Sequence, residues 1–240
     1  MRNYNKSYPA PLSLILESEK SNGKYDGHDV RLHLDKDFAG KCYLTEEKVL
    51  DQEVEHFKPH LNRTNRTLLF DWNNLYNSSK KSNGFKGNRF NVSEETQILD
   101  CCNNNHKVTN WLEYSIELLD ASIKINPVVN TQICINTCDL LNDIFNGTFS
   151  GIQSTPKRKI DAKNLRESVT KEVSDFMVVL KKFMDSNSED DRCVLESKLN
   201  KMNKDAVFTS FMIWKIKELA DESLLRTLLG NEEYNNFFVQ

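Results

Sequence analysis

A six-residue segment near the middle of the chain combines a candidate modification site with a cluster of cations. Residues 154–159 read Ser-Thr-Pro-Lys-Arg-Lys, and Thr155 fits the Ser/Thr-Pro-x-Lys/Arg pattern that cyclin-dependent kinases prefer. A phosphate on Thr155 would place about two negative charges beside Lys157, Arg158 and Lys159. Short basic clusters of this kind are also typical of nuclear-import signals. We therefore predict phosphorylation at Thr155 and a nuclear protein; a solvated interhelical loop in a cytoplasmic protein is the alternative.

A basic stretch rich in aromatic residues, 58–91, is the second candidate site. Seven cations face one acidic residue there, and five aromatic side chains are interleaved with them. Cations neutralise phosphate groups, and flat rings stack on unpaired bases. The stretch therefore predicts nucleic-acid binding through Arg63, Arg66, Lys80, Lys81, Lys86 and Arg89. The alternative is that the rings belong to the core and the lysines solvate a loop.

Cysteine and histidine side chains could hold a metal ion. Three groups are close in sequence: Cys134 with Cys138, Cys101 and Cys102 with His106, and His56 with His60. Tetrahedral zinc needs four convergent ligands, which usually come from short Cys-x-x-Cys turns, and the sequence has no such turn. Pro59 also interrupts any helix that would present His60. We therefore predict buried, reduced thiols, no metal site and no cofactor.

The common catalytic motifs do not occur in this sequence. It has no glycine-rich phosphate loop, no Gly-x-Ser-x-Gly turn and no His-Glu-x-x-His motif. The paired acidic residues at 94–95, 190–191 and 232–233 stand at predicted helix starts, where the helix dipole favours them. The sequence therefore favours a binding protein, and an enzyme without a recognisable motif is a third alternative.

Composition sets the limits within which these sites must fit. The 240 residues are 38% hydrophobic and 28% charged, with a net charge of −3, so one core is expected. A charge this small gives no general attraction to nucleic acid or acidic lipid. The sequence shows no apolar run of about eighteen residues and no apolar signal peptide at its start, so we expect an intracellular protein without a membrane partner. No small-molecule ligand is predicted.

The first 91 residues are predicted to be irregular. Residues 1–28 indicate a flexible arm, and residues 29–76 a small region of mixed α and β structure. Alternating apolar residues predict a strand at 30–34 that pairs with 41–44. A helix is expected from 45 to 57, before Pro59. Residues 77–91, rich in Ser, Asn, Lys and Gly, predict a flexible basic loop.

The remaining residues, 92–240, are predicted to form a helical domain. Helices are expected at 93–102, 107–124, 129–145, 162–184, from 188 onward, and at 206–229, with a last turn at 232–238. Apolar residues spaced by four and three in the fourth helix form a seam suited to pairing with another helix. The candidate partner-binding residues are Val169, Val173, Phe176, Leu180, Phe183, Phe237 and Phe238.

Together these patterns predict a mainly α protein, an irregular bundle of five to seven helices with a small N-terminal hairpin or extended region. The function they favour is a non-enzymatic subunit or adaptor of a nuclear, chromosome-associated complex of several proteins, regulated by proline-directed phosphorylation. Direct nucleic-acid binding through residues 58–89 is the first alternative.

Overall fold

The computed structural model describes residues 1–219, apart from 88, 118, 149–153, 187 and 205, together with Arg226. Helices account for about 53% of the structure, in agreement with the mainly α prediction. Among the described helices, none is long and apolar enough to cross a membrane. The predicted partner-binding residues Phe237 and Phe238 lie outside the described residues, as does most of 220–240.

Helices and two antiparallel hairpins alternate along the chain. The α-helices are α1 (Leu12–Ser18), α2 (His28–Asp37), α3 (Arg66–Phe70), α4 (Lys80–Lys86), α5 (Val108–Trp111), α6 (Gln132–Asn146), α7 (Pro156–Ser186), α8 (Glu189–Lys204) and α9 (Thr209–Leu219). The hairpins are β1 (Gln52–His56) with β2 (Leu75–Ser79), and β3 (Leu112–Ile116) with β4 (Ile123–Pro127). Short 3-10 turns span Trp72–Asn74 and Glu94–Thr96.

The β1–β2 hairpin leads directly into α4, and this ββα unit replaces two predicted elements. The prediction of a helix over 45–57 is wrong, because residues Gln52–His56 form strand β1, which pairs with β2. The loop expected over 77–91 begins instead with β2 and α4. The Ser- and Asn-rich composition predicted a loop, but these polar residues are buried and hydrogen-bonded. Asn77 donates to the Lys41 carbonyl at 3.0 Å, and the Ser79 side chain caps the start of α4.

Helix α2 occupies the segment where a strand was predicted. Val30, Leu34 and Phe38 are fully buried, whereas Leu32 is 56% exposed. Spacing of four places the three buried residues on one helical face, so the apparent alternation at 30–34 was a coincidence of the helical pattern. The prediction of a hairpin at this position is therefore wrong.

The first residues of the chain pack on the core, although the sequence predicted a flexible arm. Met1 is 1% exposed and Leu14 is 2% exposed. The amide of Tyr4 donates to the Cys101 carbonyl at 2.8 Å, and the Met1 amine lies 2.9 Å from the buried Glu46 carboxylate. These contacts tie the segment to distant parts of the sequence, which local composition cannot indicate.

The single helix predicted over 107–124 is instead α5 followed by the β3–β4 hairpin. Leu112 and Tyr114 on β3 and Ile123 and Ile125 on β4 are buried at a spacing of two, which is the strand period. The helix predicted at 93–102 reduces to the turn Glu94–Thr96. Helical content in the second half of the chain is therefore interrupted by a small sheet.

Side chains of α6 complete the hydrogen bonding of β4. Asn142 accepts from the Ile125 amide and donates to the Ile125 carbonyl, both at 2.9 Å. Asn146 does the same with Ile123, at 3.0 and 2.7 Å. Helix α6 itself agrees with its predicted span and ends as expected, with Gly147 in the left-handed conformation at φ 67°.

The seam predicted for partner binding on α7 is used within the chain. Helix α7 contacts α6, α8 and α9. The five seam residues are at most 4% exposed: Val169, Val173, Phe176, Leu180 and Phe183. The pattern correctly identified a helix-pairing surface, but the surface is covered by the protein's own helices and does not remain for another chain.

We expect Phe176→Ala to lower the free energy of unfolding by about 3 to 5 kcal/mol, because it removes a ring that is 1% exposed and leaves a cavity. Val178→Ala, on the 56% exposed side of the same helix, is the matched control and should change stability by less than about 0.5 kcal/mol. Urea denaturation measures both. Equal effects would contradict the packing of α7 described above.

Candidate functional site

An open cavity of about 420 Å³ lies beside the ββα unit. Strand β1, helix α4 and the segment that follows β1 line it. The side chains able to take part in chemistry are Tyr25, Glu55, His56, His60, Asn83 and Lys86. A concave site that gathers imidazole, carboxylate, amide and ammonium groups is the best candidate for a functional site among the described residues.

His56 ends strand β1 with only 6% of its surface exposed. Its Nε2 donates to the Leu69 carbonyl at 3.1 Å, since a carbonyl can only accept. Burial lowers the pKa of His56 to about 4, against a smaller opposing effect of that hydrogen bond. The imidazole is therefore neutral at pH 7, carries its proton on Nε2 and keeps Nδ1 as a proton acceptor.

Glu55 and Lys86 form a buried ion pair beside His56. The Lys86 Nζ donates to Glu55 Oε1 at 2.6 Å and to the His56 carbonyl at 2.8 Å. Lys86 is 1% exposed and Glu55 is 9% exposed. Burial raises the pKa of Glu55, and the Lys86 ammonium acts against that rise. The pair holds the last turn of α4 against the end of β1.

Asn83 stands three residues before Lys86 on α4 and so lies on the same helical face. Its Nδ2 donates to Glu53 Oε2 at 2.8 Å, on the strand residue two before Glu55. This leaves the amide oxygen of Asn83 as an acceptor beside the cavity. Carboxylate and amide oxygens are the ligand types that hard divalent cations prefer.

Asn74 holds together the long connection between β1 and β2. Its Oδ1 accepts from the Lys58 amide at 2.7 Å, and its Nδ2 donates to the Lys58 and Leu68 carbonyls at 3.0 and 2.9 Å. The buried Asn74 side chain thus joins the beginning and the end of this connection. The adjacent Leu69 carbonyl is thereby placed where it accepts the His56 proton.

A tight left-handed turn follows His60. Leu61, Asn62 and Arg63 have φ values of 50°, 52° and 70°, which residues other than glycine rarely adopt. The turn brings the Arg63 amide to His60 Nδ1 at 2.9 Å. The ring centroids of His56 and His60 are 4.4 Å apart at an interplanar angle of 73°. The two imidazoles therefore share the cavity in edge-to-face contact.

The structure separates the six cations that the sequence grouped as a nucleic-acid surface. Arg63 donates to the Gly23 carbonyl at 2.5 Å, and Arg66 donates to the Ser18 and Lys20 carbonyls at 2.7 Å, so both hold the end of α1.

The other four cations divide into two buried or bonded residues and two surface residues. Lys86 is buried as described, and Arg89 contacts the Phe85 carbonyl at 2.8 Å and Asp143 at 3.6 Å. Lys80 is exposed, and Lys81, half exposed, lies 3.7 Å from Asp161. Lys80 and Lys81 therefore remain on the surface as predicted, at the start of α4, and Arg63 is also exposed although its guanidinium is bonded to Gly23.

The Thr155 segment forms the start of α7. The Thr155 Oγ1 accepts from the Arg158 amide at 3.3 Å. Thr155, Lys157 and Lys159 are exposed. Arg158 reaches α4 instead, where it donates to the Gly84 carbonyl at 3.2 Å and lies 5.1 Å above the Phe85 ring. The loop before residue 154 lies outside the described residues.

The cysteines do not form a convincing metal centre in the described part of the chain. Cys134 and Cys138 are buried on α6. Asp100, Cys101 and Cys102 bring their ligand atoms within 4.8 Å, but Asp100 already accepts from the Tyr76 hydroxyl at 2.5 Å. Burial also raises the pKa of Cys101 well above its usual value, which disfavours the thiolate that metals bind.

Sequence reasoning noticed the spacing of His56 and His60 but missed Glu55, Asn74 and Asn83. The sequence predicts His56 on a helix that Pro59 ends before His60, whereas His56 ends a strand and His60 precedes a turn. A signal was present in residues 52–56, where charged and less polar residues alternate with the strand period. That pattern would have placed Glu55 and His56 at the end of a strand.

Acidification should weaken the fold through His56. The pKa of His56 is about 4 in the folded protein, whereas the ordinary value for histidine is 6.5. Between these two pH values the unfolded chain binds a proton at His56 and the folded protein does not. The stabilisation is complete above pH 6.5 and is lost as pH falls towards 4. We expect His56 to contribute a decrease of about 2 kcal/mol in the free energy of unfolding between pH 7 and pH 5.

Urea denaturation of the wild type and of His56→Gln at both pH values measures this contribution. The variant should show the smaller dependence on pH, because it lacks the titrating ring. His28→Gln, which changes an exposed histidine, is the control and should behave as the wild type does. An identical pH dependence in His56→Gln and the wild type would contradict the neutral, buried state of His56.

A scan against protein-family models and a search of curated proteins found no match to this chain, so its function must be inferred from the cavity itself.

Proposed function

We propose that this protein is a hydrolase that cleaves phosphodiester bonds of nucleic acid, with His56 as general base. The observation that carries the proposal is the state of His56: a neutral imidazole with Nε2 tied to the Leu69 carbonyl, next to Glu55 in an open cavity. A general base must be unprotonated at working pH and held in one orientation, and His56 meets both requirements. With a pKa of about 4 it is a weak base at pH 7, so it suits a water molecule that a bound cation would make more acidic.

The cavity groups suggest how a phosphodiester is cleaved. Nδ1 of His56 accepts a proton from water as the water oxygen attacks phosphorus. The bond from phosphorus to the leaving oxygen breaks, and that oxygen takes a proton from solvent. Negative charge develops on the phosphoryl oxygens and needs cations or hydrogen-bond donors nearby. The Glu55 carboxylate already accepts from the Lys86 ammonium, so among the described groups of the cavity the Asn83 amide oxygen is the ligand type that suits Mg²⁺, which would bind mainly to the substrate phosphate.

Nucleic acid is the proposed substrate because exposed cations stand on the elements that line the cavity. Lys58 precedes Pro59, which lines the cavity, and its side chain is exposed. Lys80 and Lys81 lie on the surface at the start of α4, the helix that carries Asn83. Cations placed in this way attract a polyanion to the site. The proposal thus joins the two alternatives that the sequence left open, nucleic-acid contact and an enzyme without a recognisable motif.

Cleavage of a fluorescently labelled oligonucleotide, single-stranded or duplex, with Mg²⁺ or Mn²⁺ and with EDTA, tests the proposal. We expect His56→Ala to lower the cleavage rate by about 100- to 10,000-fold, the usual contribution of a general base. His33→Ala is the matched control, because His33 contacts Asp29 and Trp72 away from the cavity. Activity that is unchanged in His56→Ala, or absent from the wild type under every condition, would refute the proposal.

A second candidate function is the non-enzymatic subunit of a nuclear, chromosome-associated complex, regulated by phosphorylation. The supporting observation is the exposure of Thr155, Lys157 and Lys159 at the start of α7, where a kinase or an import receptor can reach them. The buried seam of α7 gives this candidate no partner surface, so its partner proteins must bind elsewhere.

Localisation of a fluorescent fusion in a eukaryotic cell tests the second candidate. Lys157→Ala with Lys159→Ala should shift the protein from the nucleus to the cytoplasm, because the import cluster loses two of its cations. Lys163→Ala with Lys171→Ala, two exposed lysines on the same helix, is the control and should leave the distribution unchanged. A nuclear signal that persists without Lys157 and Lys159 would remove the support for import.

A further inference from the structure

We infer that His60 is a second functional imidazole, which binds a phosphoryl oxygen of the substrate through its Nε2–H group. The inference rests on the proposed phosphodiester hydrolase and goes beyond it, because it assigns the group that holds the phosphate while His56 acts as base. His60 lines the same cavity and is half-buried.

The backbone determines which nitrogen of His60 carries the proton. The Arg63 amide donates to Nδ1 at 2.9 Å, so Nδ1 must be the unprotonated nitrogen. A neutral imidazole then has its proton on Nε2 and presents a hydrogen-bond donor from the opposite edge of the ring. Within the described part of the chain, no hydrogen bond uses Nε2 of His60.

The two imidazoles are held in opposite roles. A carbonyl takes the Nε2 proton of His56 and leaves Nδ1 as an acceptor, whereas an amide occupies Nδ1 of His60 and leaves Nε2–H as a donor. Their ring centroids are 4.4 Å apart. One cavity thus offers an acceptor for the proton of an attacking water and a donor for a phosphoryl oxygen, the pair of functions that phosphodiester hydrolysis requires.

Backbone strain is concentrated at the contact that fixes His60. Three consecutive residues, Leu61, Asn62 and Arg63, adopt left-handed conformations, which side-chain-bearing residues rarely occupy in succession. The turn is held from outside by Arg63, whose guanidinium donates to the Gly23 carbonyl at 2.5 Å. Strain of this kind persists when the surrounding structure enforces it, and such residues cluster at functional sites.

Binding of a thymidine dinucleotide to the wild type and to His60 variants, followed by NMR, tests the assignment without any cleavage. The ¹⁵N shifts of His60 should show Nε2 protonated and should move on titration. We expect His60→Phe to weaken binding by about 10- to 100-fold, the effect of losing one hydrogen bond to a charged group. His60→Gln should recover most of the affinity, because its amide can donate from a position close to that of Nε2.

Thermal unfolding of each variant separates binding from folding. His28→Phe, at an exposed histidine of α2, is the matched control and should bind as the wild type does. If folded His60→Phe binds the dinucleotide as tightly as the wild type, the inference is overturned. Because this titration needs no turnover, it decides the role of His60 even if no nucleic acid is cleaved, an outcome that would refute only the proposed hydrolase.

In an active enzyme, His60→Phe should lower kcat/KM by a similar factor while His56→Ala lowers kcat itself by far more. A loss of kcat/KM that is equal in His60→Gln and His60→Phe would show that ring packing, and not the donor, is what His60 supplies, and would overturn the inference.

Discussion

The buried ion pair between Lys86 and Glu55 is the interaction on which the N-terminal half of the fold depends. Removing a lysine from water costs several kcal/mol, and the 2.6 Å contact with Glu55 and the bond to the His56 carbonyl act against that cost. Helix α4 therefore cannot slide along β1 without leaving a charge buried and unpaired. The same contact fixes the backbone of His56, so the fold and the cavity share one electrostatic constraint.

The sequence predicted the long helices well and the short elements poorly. Helices α6, α7 and α8 extend over four or more turns, so their apolar period is repeated often enough to be unambiguous. The short elements α2, β1 and β3 contain ten residues or fewer, and several periods fit such lengths. Their conformation is decided by what they pack against, as the burial of Val30 and Leu34 on one face of α2 shows.

The candidate site could not be predicted from the sequence, because tertiary contacts also decide which of its residues are enclosed. Glu55, Asn74 and Asn83 are residue types that usually indicate solvated surface, and nothing nearby in the chain shows that they are enclosed. Asn74 joins the two ends of the connection between β1 and β2 only in the folded protein, where the backbone groups that it bonds come together. His56 and His60 were visible as a pair, but the strand end and the left-handed turn that orient them are tertiary features.

The amide pairs that Asn142 and Asn146 form with β4 bear on how the protein behaves at high concentration. A two-stranded sheet has two open edges, and an open edge is a template on which strands of other molecules can add. Each asparagine amide copies the donor and acceptor of a peptide group, so α6 serves as an inert third strand along Ile123 and Ile125. The hairpin is thereby closed to intermolecular β-sheet growth on that side, although the described residues contribute no third strand to this sheet.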